Sequence, residues 1–407
     1  MSQKPQDVRM KGFSARVSVR EAEQAIEAHI PPRAVERIPF QAALGRSLAA
    51  PIRSDRDVPA FDKSAMDGYA VRAVDLPGTL EVVGEQMAKD RSDFVLGAGQ
   101  AVRVMTGAAI PSGATAVVMV EDTTLEGSRV RIEKTSASGA HILARGEDLR
   151  RDGTVLAPPR RLRPQDISML ATVGCLEVPV FQRPRVRIVP TGNELVPIGS
   201  SPSGSEIVES NSFLLKALAE RDGAEVELHP IVGDDAALLE RVLQRPGADL
   251  IVVTGGSSVG KQDLGPVVLR EAGSLVFHGV QVKPASPTGF GLIAGTPVLL
   301  APGFPVASFV AWDLFGRAIV ERMLGLVPRL PYALEEVRLA HAIEKPEGRV
   351  DLVRVILGEA QEGRRLASAI PGGAALLSTT TRADGFLLLP AGRARFAAGE
   401  LIAAHLY

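Results

Sequence analysis

Apolar positions follow different rhythms along the chain, and the changes of rhythm mark its organisation. Near the start the spacing is helical. Val19, Ala22, Ile26 and Ile30 share one face. Ser18 and Glu21 form a capping box ahead of it, and Pro31-Pro32 stops it. A second short amphipathic helix is predicted from Phe40 to Leu48. A third runs from Pro164 to Gly174, with Ile167, Leu170 and Ala171 on its apolar face. Between Thr79 and Leu156 the texture is β: short alternating runs at 81–83, 101–105, 116–120 and 129–132 are split by Gly, Pro and Ser. This predicts a small β domain inserted between two halves of a helical region.

From Pro184 the rhythm becomes strand–loop–helix. Strands are predicted at 186–189, 226–232, 250–253, 275–282 and 297–300, and helices at 211–221, 234–244, 263–271 and 306–324. Strict alternation of this kind predicts a parallel sheet with helices on both faces. After Pro328 the chain returns to β, most clearly at 350–357 and 385–389, which predicts a separate small β domain.

The chemistry gathers where the predicted parallel strands end. Leu250-Ile251-Val252-Val253 is apolar on both faces and breaks into Gly255, Gly256, Ser257, Ser258 and Gly260. Such a loop lets backbone N–H groups close on an anion at the carboxyl edge of a sheet. Lys261 gives it a P-loop likeness, but Gln262 stands where Mg²⁺ ligation needs Ser or Thr, which excludes that NTPase reading. Thr191-Gly192-Asn193-Glu194 and Pro302-Gly303-Phe304-Pro305 leave the same edge. Asp234 and Asp263 sit at predicted helix starts, where either could serve as an N-cap worth about 1 kcal/mol. Carboxylates beside a phosphate loop would repel an anion unless a metal bridges them, so Mg²⁺ is inferred. Elsewhere, Asp62 and Asp67 share one loop, with Asp67-Gly68 a strong turn signal. Thr106-Gly107-Ala108 and Gly146-Glu147-Asp148 are polar loops that each read first as turns. Arg349, Arg354 and the hydroxyl-rich turn Ser378-Thr379-Thr380-Thr381 could donate to an oxyanion.

Composition narrows the function classes. The 407 residues are 45% hydrophobic and 23% charged, ordinary for a globular protein. A net charge of −1 gives nucleic acid or an anionic membrane no electrostatic purchase, and 4% aromatics leave few stacking platforms for bases. The basic stretch from Arg150 to Arg163 therefore reads as a solvated face. Cys175 is the only cysteine, so there is no disulfide framework or Cys-based metal site. The first residues lack an apolar signal segment, and Asp313 and Arg317 interrupt the apolar run after Pro305. A soluble cytoplasmic protein is expected. No His pair has metal-ligand spacing and no Gly-x-Ser-x-Gly elbow occurs.

Five motifs in order carry a family resemblance: Phe61-Asp62-Lys63-Ser64-Ala65-Met66-Asp67-Gly68-Tyr69-Ala70, Met105-Thr106-Gly107-Ala108, Arg145-Gly146-Glu147-Asp148, Thr191-Gly192-Asn193-Glu194-Leu195 and the run from Gly255 to Asp263. Together they resemble the molybdopterin molybdenumtransferases of the MoeA family, related to the C-terminal domain of gephyrin. The resemblance implies an elongated homodimer with four domains per chain. These are a discontinuous helical linking domain (15–57 and 145–183), the inserted β domain (58–144), a central three-layer doubly wound α/β domain that binds molybdopterin (184–327) and a C-terminal β-barrel-like domain (328–407). It implies Mg²⁺-dependent insertion of molybdenum from molybdate into adenylylated molybdopterin, with release of AMP. By motif, the functional acids are Asp62, Asp148, Glu194, Asp234 and Asp263, with Asp62, Glu194, Asp234 and Asp263 the metal candidates and Lys283 a family lysine. Thr106, Thr191, Gly255, Gly256, Ser257, Ser258, Gly260, Arg349, Arg354, Ser378 and Thr379 are its substrate-binding candidates. Partners are small-molecule substrates, a second copy and other molybdenum-cofactor proteins. The chain departs from the family in two loops. Lys283-Pro284-Ala285-Ser286-Pro287 replaces Lys-Pro-Gly-Lys-Pro, and Ala301-Pro302-Gly303-Phe304-Pro305-Val306-Ala307 replaces Leu-Pro-Gly-Asn-Pro-Val-Ser. The alternative reading is a non-catalytic paralogue that binds or carries molybdopterin or its cofactor.

Overall fold

In the computed structural model, residues 16–89, 93–255 and 264–407 are described. Among them the α-helices are α1 (Val19–Glu27), α2 (Pro164–Thr172), α3 (Asn211–Arg221), α4 (Ala236–Gln244), α5 (Gly265–Ala272), α6 (Pro305–Ala311), α7 (Arg317–Met323) and α8 (Ser378–Arg382). No helix among the described residues is long and apolar enough to cross a membrane.

The central sheet runs in the order Glu225–Leu228, Arg185–Pro190, Leu250–Thr254, Thr296–Ala301, Gly289–Ile293, Ser274–His278. Its first four strands are mutually parallel, as the alternation predicts. Side-chain alternation then divides the core. Ile188, Leu250, Val252 and Leu299 pack with Leu215 of α3 and with Trp312. Val189, Ile251, Val253 and Val298 pack with Leu239 of α4 and Leu269 of α5. A strand apolar on both faces is what this three-layer burial requires.

The sheet is mixed rather than wholly parallel. Gly289–Ile293 runs antiparallel between its two neighbours. It turns into Thr296–Ala301 through Ala294 and Gly295, both at positive φ (48° and 79°), the conformation of a two-residue hairpin loop. Ala294 carries no sequence signal for that conformation, so the strand was not legible. The strand expected at 275–282 stops at His278, and Val282–Lys283 pairs instead with Val350 and Asp351. The helix expected at 306–324 is continuous but changes winding. Trp312–Gly316 is a π-turn between α6 and α7, and a Cβ on Gly316 would lie 2.5 Å from the Trp312 ring.

The capping box of α1 forms with both reciprocal bonds, and Ala22 and Ile26 are fully buried in the core that also holds Met323. The helix expected from Phe40 to Leu48 is not formed. A single 3₁₀ turn, Phe40–Ala42, ends before Gly45 at φ 73°. Ser47–Leu48 then pairs as a strand with Arg160–Arg161. The apolar spacing of so short a segment suits either form, and sheet pairing decides. A small sheet in the order Val35–Pro39, Glu177–Phe181, Ser47–Leu48, Arg160–Arg161 shares its core with Leu170 of α2.

Two further β units complete the molecule. One is a six-stranded sheet in the order Ala116–Met119, Gly68–Val71, Gln100–Val104, Gly78–Gln86, Arg129–Ile132, Thr123–Glu126. The other is a closed five-stranded barrel: Val350–Gln361, Arg364–Ala369, Ala333–Leu339, Leu401–Leu406 and Gly385–Leu389 pair in turn, and the last pairs back to the first. A buried polar cluster adjoins it. Asp313, in the π-turn, accepts from Arg221 (2.9 Å) and from the Tyr332 hydroxyl (2.6 Å), while Asp222 accepts from Arg221 and from the Trp312 indole. Tyr332 stands edge-on to Phe386 and Tyr407 of the barrel region.

Candidate functional site

The three strand-end loops do converge. Thr191, Thr254, Gly255, Pro302 and Gly303 line one cavity of about 540 Å³ at the carboxyl edge of the parallel strands. Close backbone approach explains the glycines. The Thr191 N–H donates to the Thr254 carbonyl at 2.8 Å, and a Cβ on Gly255 (φ 93°) would sit 2.2 Å from the Thr191 carbonyl oxygen. A Cβ on Gly303 would lie 3.4 Å from the Gly255 Cα. Asn211, at the start of α3, clamps the edge: its Nδ2 donates to the Gly303 carbonyl (2.7 Å) and to the Thr254 hydroxyl (3.2 Å). Ser308 Oγ donates to the Pro302 carbonyl at 2.7 Å. Asn211 is a residue that sequence reasoning missed. It sits at a helix start, where Asn is ordinary, and its partners are distant in sequence.

Glu194 lines this cavity, and Asp234 lies close enough for their charges to interact. Burial and then the negative charge of Glu194 raise the Asp234 carboxyl above its ordinary value. The Asp234 N–H donates to Asn193 Oδ1 at 3.1 Å, which ties the two loops together. A Cβ on Gly192 would press on the Glu194 carboxylate at 2.6 Å. Asp234 is not the cap of α4. That position belongs to Asp235, whose side chain accepts from Leu238 N–H at 2.9 Å. The cap position of α5 falls on Leu264, without a side-chain cap bond. Gly256, Ser257, Ser258, Gly260 and Asp263 lie outside the described residues. Among the described residues no three His, Cys, Asp or Glu side chains cluster as a metal site. Two adjacent carboxylates nonetheless fit Mg²⁺, which takes one or two carboxylates and fills its shell with substrate phosphates and water.

The other candidates fall into separate groups. Asp62 and Asp148 stand on paired loops: Asp62 Oδ1 accepts from Arg145 N–H at 2.7 Å, and the Asp148 N–H donates to the Val58 carbonyl at 3.0 Å. Neither lines the cavity. Thr106 commits both donors to Asp67, at 2.6 Å from its N–H and 2.7 Å from its hydroxyl. These bonds hold the Asp67 carboxyl below its ordinary value. Lys283 is exposed and pairs in register with Asp351, which takes a bidentate contact from Arg349 (2.7 and 2.9 Å). Arg354 is 5% exposed. Its Nη2 donates to the Gly372 carbonyl at 2.9 Å, its Nε and Nη1 have no hydrogen-bond partner among the described residues, and burial lowers its pKa. Ser378 and Thr379 belong to the short helix α8 rather than to an open turn, and the Thr379 hydroxyl donates to the Leu376 carbonyl. The backbone of this region reaches the cavity, because Ala375 lines it and the Val306 N–H donates to Ala374 O at 3.0 Å.

The departing loops have their own geometry. Ser286 Oγ donates to the Val280 carbonyl at 3.1 Å, and Ala285 holds φ at 90°. Ala307 is 2% exposed within the core, whereas Phe304 is 60% exposed.

Comparison with known proteins agrees with this arrangement. Residues 17–174 match the MoeA N-terminal region (domains I and II), 187–322 match a probable molybdopterin binding domain, and 336–407 match the MoeA C-terminal region (domain IV). The chain is 34% identical over 381 residues to molybdopterin molybdenumtransferase 2 of Mycobacterium tuberculosis, covering 89% of this chain and 92% of that one. It is 31% identical over 378 residues to the molybdopterin molybdenumtransferase of Haemophilus influenzae, covering 91% and 93%. The crystal structure of the molybdopterin biosynthesis MoeA protein from Pyrococcus horikoshii superposes with a TM-score of 0.84 at 29% identity, over 97% of this chain and all of that one.

Proposed function

This chain belongs to the MoeA family, and from that premise we propose that it is a molybdopterin molybdenumtransferase of molybdenum-cofactor biosynthesis. The proposed reaction is insertion of molybdenum from molybdate into adenylylated molybdopterin, with cleavage of the phosphoanhydride and release of AMP. The observation that carries this reading is the glycine-walled cavity at the strand ends, lined by Glu194 and by backbone that can approach a phosphate closely. The charge of Glu194 also acts on Asp234, and Mg²⁺ is the ion that suits one or two carboxylates beside substrate phosphates. Glu194 and Asp234, with Asp263, would hold Mg²⁺, which neutralises charge on the phosphoanhydride when bound. The Asn211–Gly303 clamp keeps the cavity wall in place for the substrate. The exposed Lys283 is proposed to supply positive charge for the oxyanion, with Arg349 and Arg354, which do not line the cavity, completing it once Arg349 leaves Asp351.

In this proposal Asp62 and Asp148, held by a separate loop pair, reach the reaction from a second copy of the chain. A cytoplasmic location completes the reading. Incubation of the chain with adenylylated molybdopterin, molybdate and Mg²⁺ is expected to release AMP. Tight pterin binding with no AMP above background would replace the transferase by the carrier reading, which Ser286, Phe304 and Ala307 motivate, since they stand where the family has a lysine, an asparagine and a serine.

A further inference from the structure

The lining of the cavity at the strand ends is mixed. Thr191, Glu194 and Asn211 give it polar groups, while Ile207, Pro287 and Phe304 give it apolar surface. An occupant with a flat, apolar-faced head and an anionic tail matches both. Phe304 is the largest apolar side chain on that lining and is 60% exposed. Its backbone is held firmly while its ring is left open. The preceding carbonyl, of Gly303, accepts from Asn211 at 2.7 Å. Its own carbonyl accepts from Ser308 N–H at 2.9 Å as α6 begins, and the Val306 N–H is bound to Ala374 at 3.0 Å. Among the described residues no aromatic ring packs against it. Scattered exposed apolar side chains are ordinary on a protein surface. A phenyl ring presented by a fixed loop at a cavity wall is a different case, because a stacking partner gains area without ordering the loop.

We propose that Phe304 is a stacking platform for the fused nitrogen heterocycle of the substrate, with the polar groups of the cavity receiving the anionic tail. This rests on the functional reading above, in which the substrate carries two such rings, a pterin and an adenine. Both are flat and π-faced, and both satisfy an aromatic platform. An aliphatic side chain would offer apolar area without a π-face, so Leu and Trp at this position separate stacking from simple burial.

The test is isothermal titration calorimetry of the full chain with two separate probes, AMP and 6-hydroxymethylpterin, on wild type and on Phe304→Ala, Phe304→Leu and Phe304→Trp. The exposed ring makes little of the core, so all variants are expected to melt close to wild type. Phe304→Ala is expected to weaken the stacked probe roughly 5- to 100-fold. Phe304→Leu should recover only a small part of that loss, and Phe304→Trp should match or exceed wild type. Whichever probe responds identifies the ring. Wild-type binding with Phe304→Leu equal to it for both probes would overturn the platform and leave the functional reading intact. Wild type binding neither probe would overturn the platform, and AMP release from the whole substrate decides the functional reading separately.

Discussion

Asp234 shows how a single residue can carry a functional signal that its position in sequence conceals. It stands one place before a helix cap, and a cap is its simplest reading. The structure assigns the cap to Asp235 and leaves Asp234 beside Glu194 with its carboxyl raised. A raised folded-state pKa means that the folded protein holds this proton more tightly than the unfolded chain does. The contribution of Asp234 to stability therefore falls as pH rises from the ordinary carboxylate value near about 3.9 through its own raised value. At neutral pH the ionised group is a net cost to the metal-free protein. Asp234→Asn is expected to raise the metal-free melting temperature by about 1 °C, the scale of relieving one like-charge contact. It is also expected to abolish the gain in melting temperature that the proposed Mg²⁺ binding predicts for the wild type at pH 7. An undiminished Mg²⁺ gain in the variant would detach Asp234 from the metal. Asp235→Ala should do the reverse, costing about 1 kcal/mol in urea denaturation while AMP release per folded molecule stays at the wild-type rate.

At the scale of elements, legibility followed how much of the physics was local. The capping box of α1 and the buried strand Leu250–Thr254 were read correctly because their signals lie within a few residues. Phe40 to Leu48 was misread because pairing of Ser47–Leu48 with Arg160–Arg161 is more than a hundred residues distant, and an amphipathic run that short is ambiguous. The antiparallel strand Gly289–Ile293 was missed because Ala stands at the first left-handed position of its Ala294-Gly295 turn, where Asn, Asp or Gly is the usual signal. The π-turn Trp312–Gly316 is also a tertiary result. It carries Asp313, which is fully buried among Arg221 and Tyr332. Burial drives the Asp313 carboxyl upward, and the two donors oppose that shift. Asp313→Ala is expected to cost about 1–3 kcal/mol, because it removes the acceptor of the Tyr332 hydroxyl while Arg221 keeps Asp222. Tyr332→Phe should cost about 1–3 kcal/mol by removing one donor to Asp313. The fluorescence of Trp312, fully buried and bonded to Asp222, reports both in urea titrations. Two flat responses would mean that the cluster contributes nothing to stability.

At the scale of the whole molecule, the proposed function has acids on separate loops serve one reaction. Asp62 and Asp148 are gathered by one loop pair, Glu194 and Asp234 by another. If a second copy closes the site, Asp62→Asn and Glu194→Gln chains should each be inactive alone, yet regain up to about a quarter of wild-type AMP release when refolded together. That fraction is the share of mixed dimers, half of the total, with one of two sites intact. No recovery, with mixed dimers verified by differently tagged chains, would place both pairs in the site of a single chain. What the sequence determined by itself was the order of elements, the convergence of three loops at one sheet edge and the family motifs, because strand direction, helix capping and glycine spacing are encoded locally. What only the tertiary structure decided was which carboxylates meet, which donors are already taken and which ring stands free. Those depend on contacts between residues far apart in the chain, and no local rule records them.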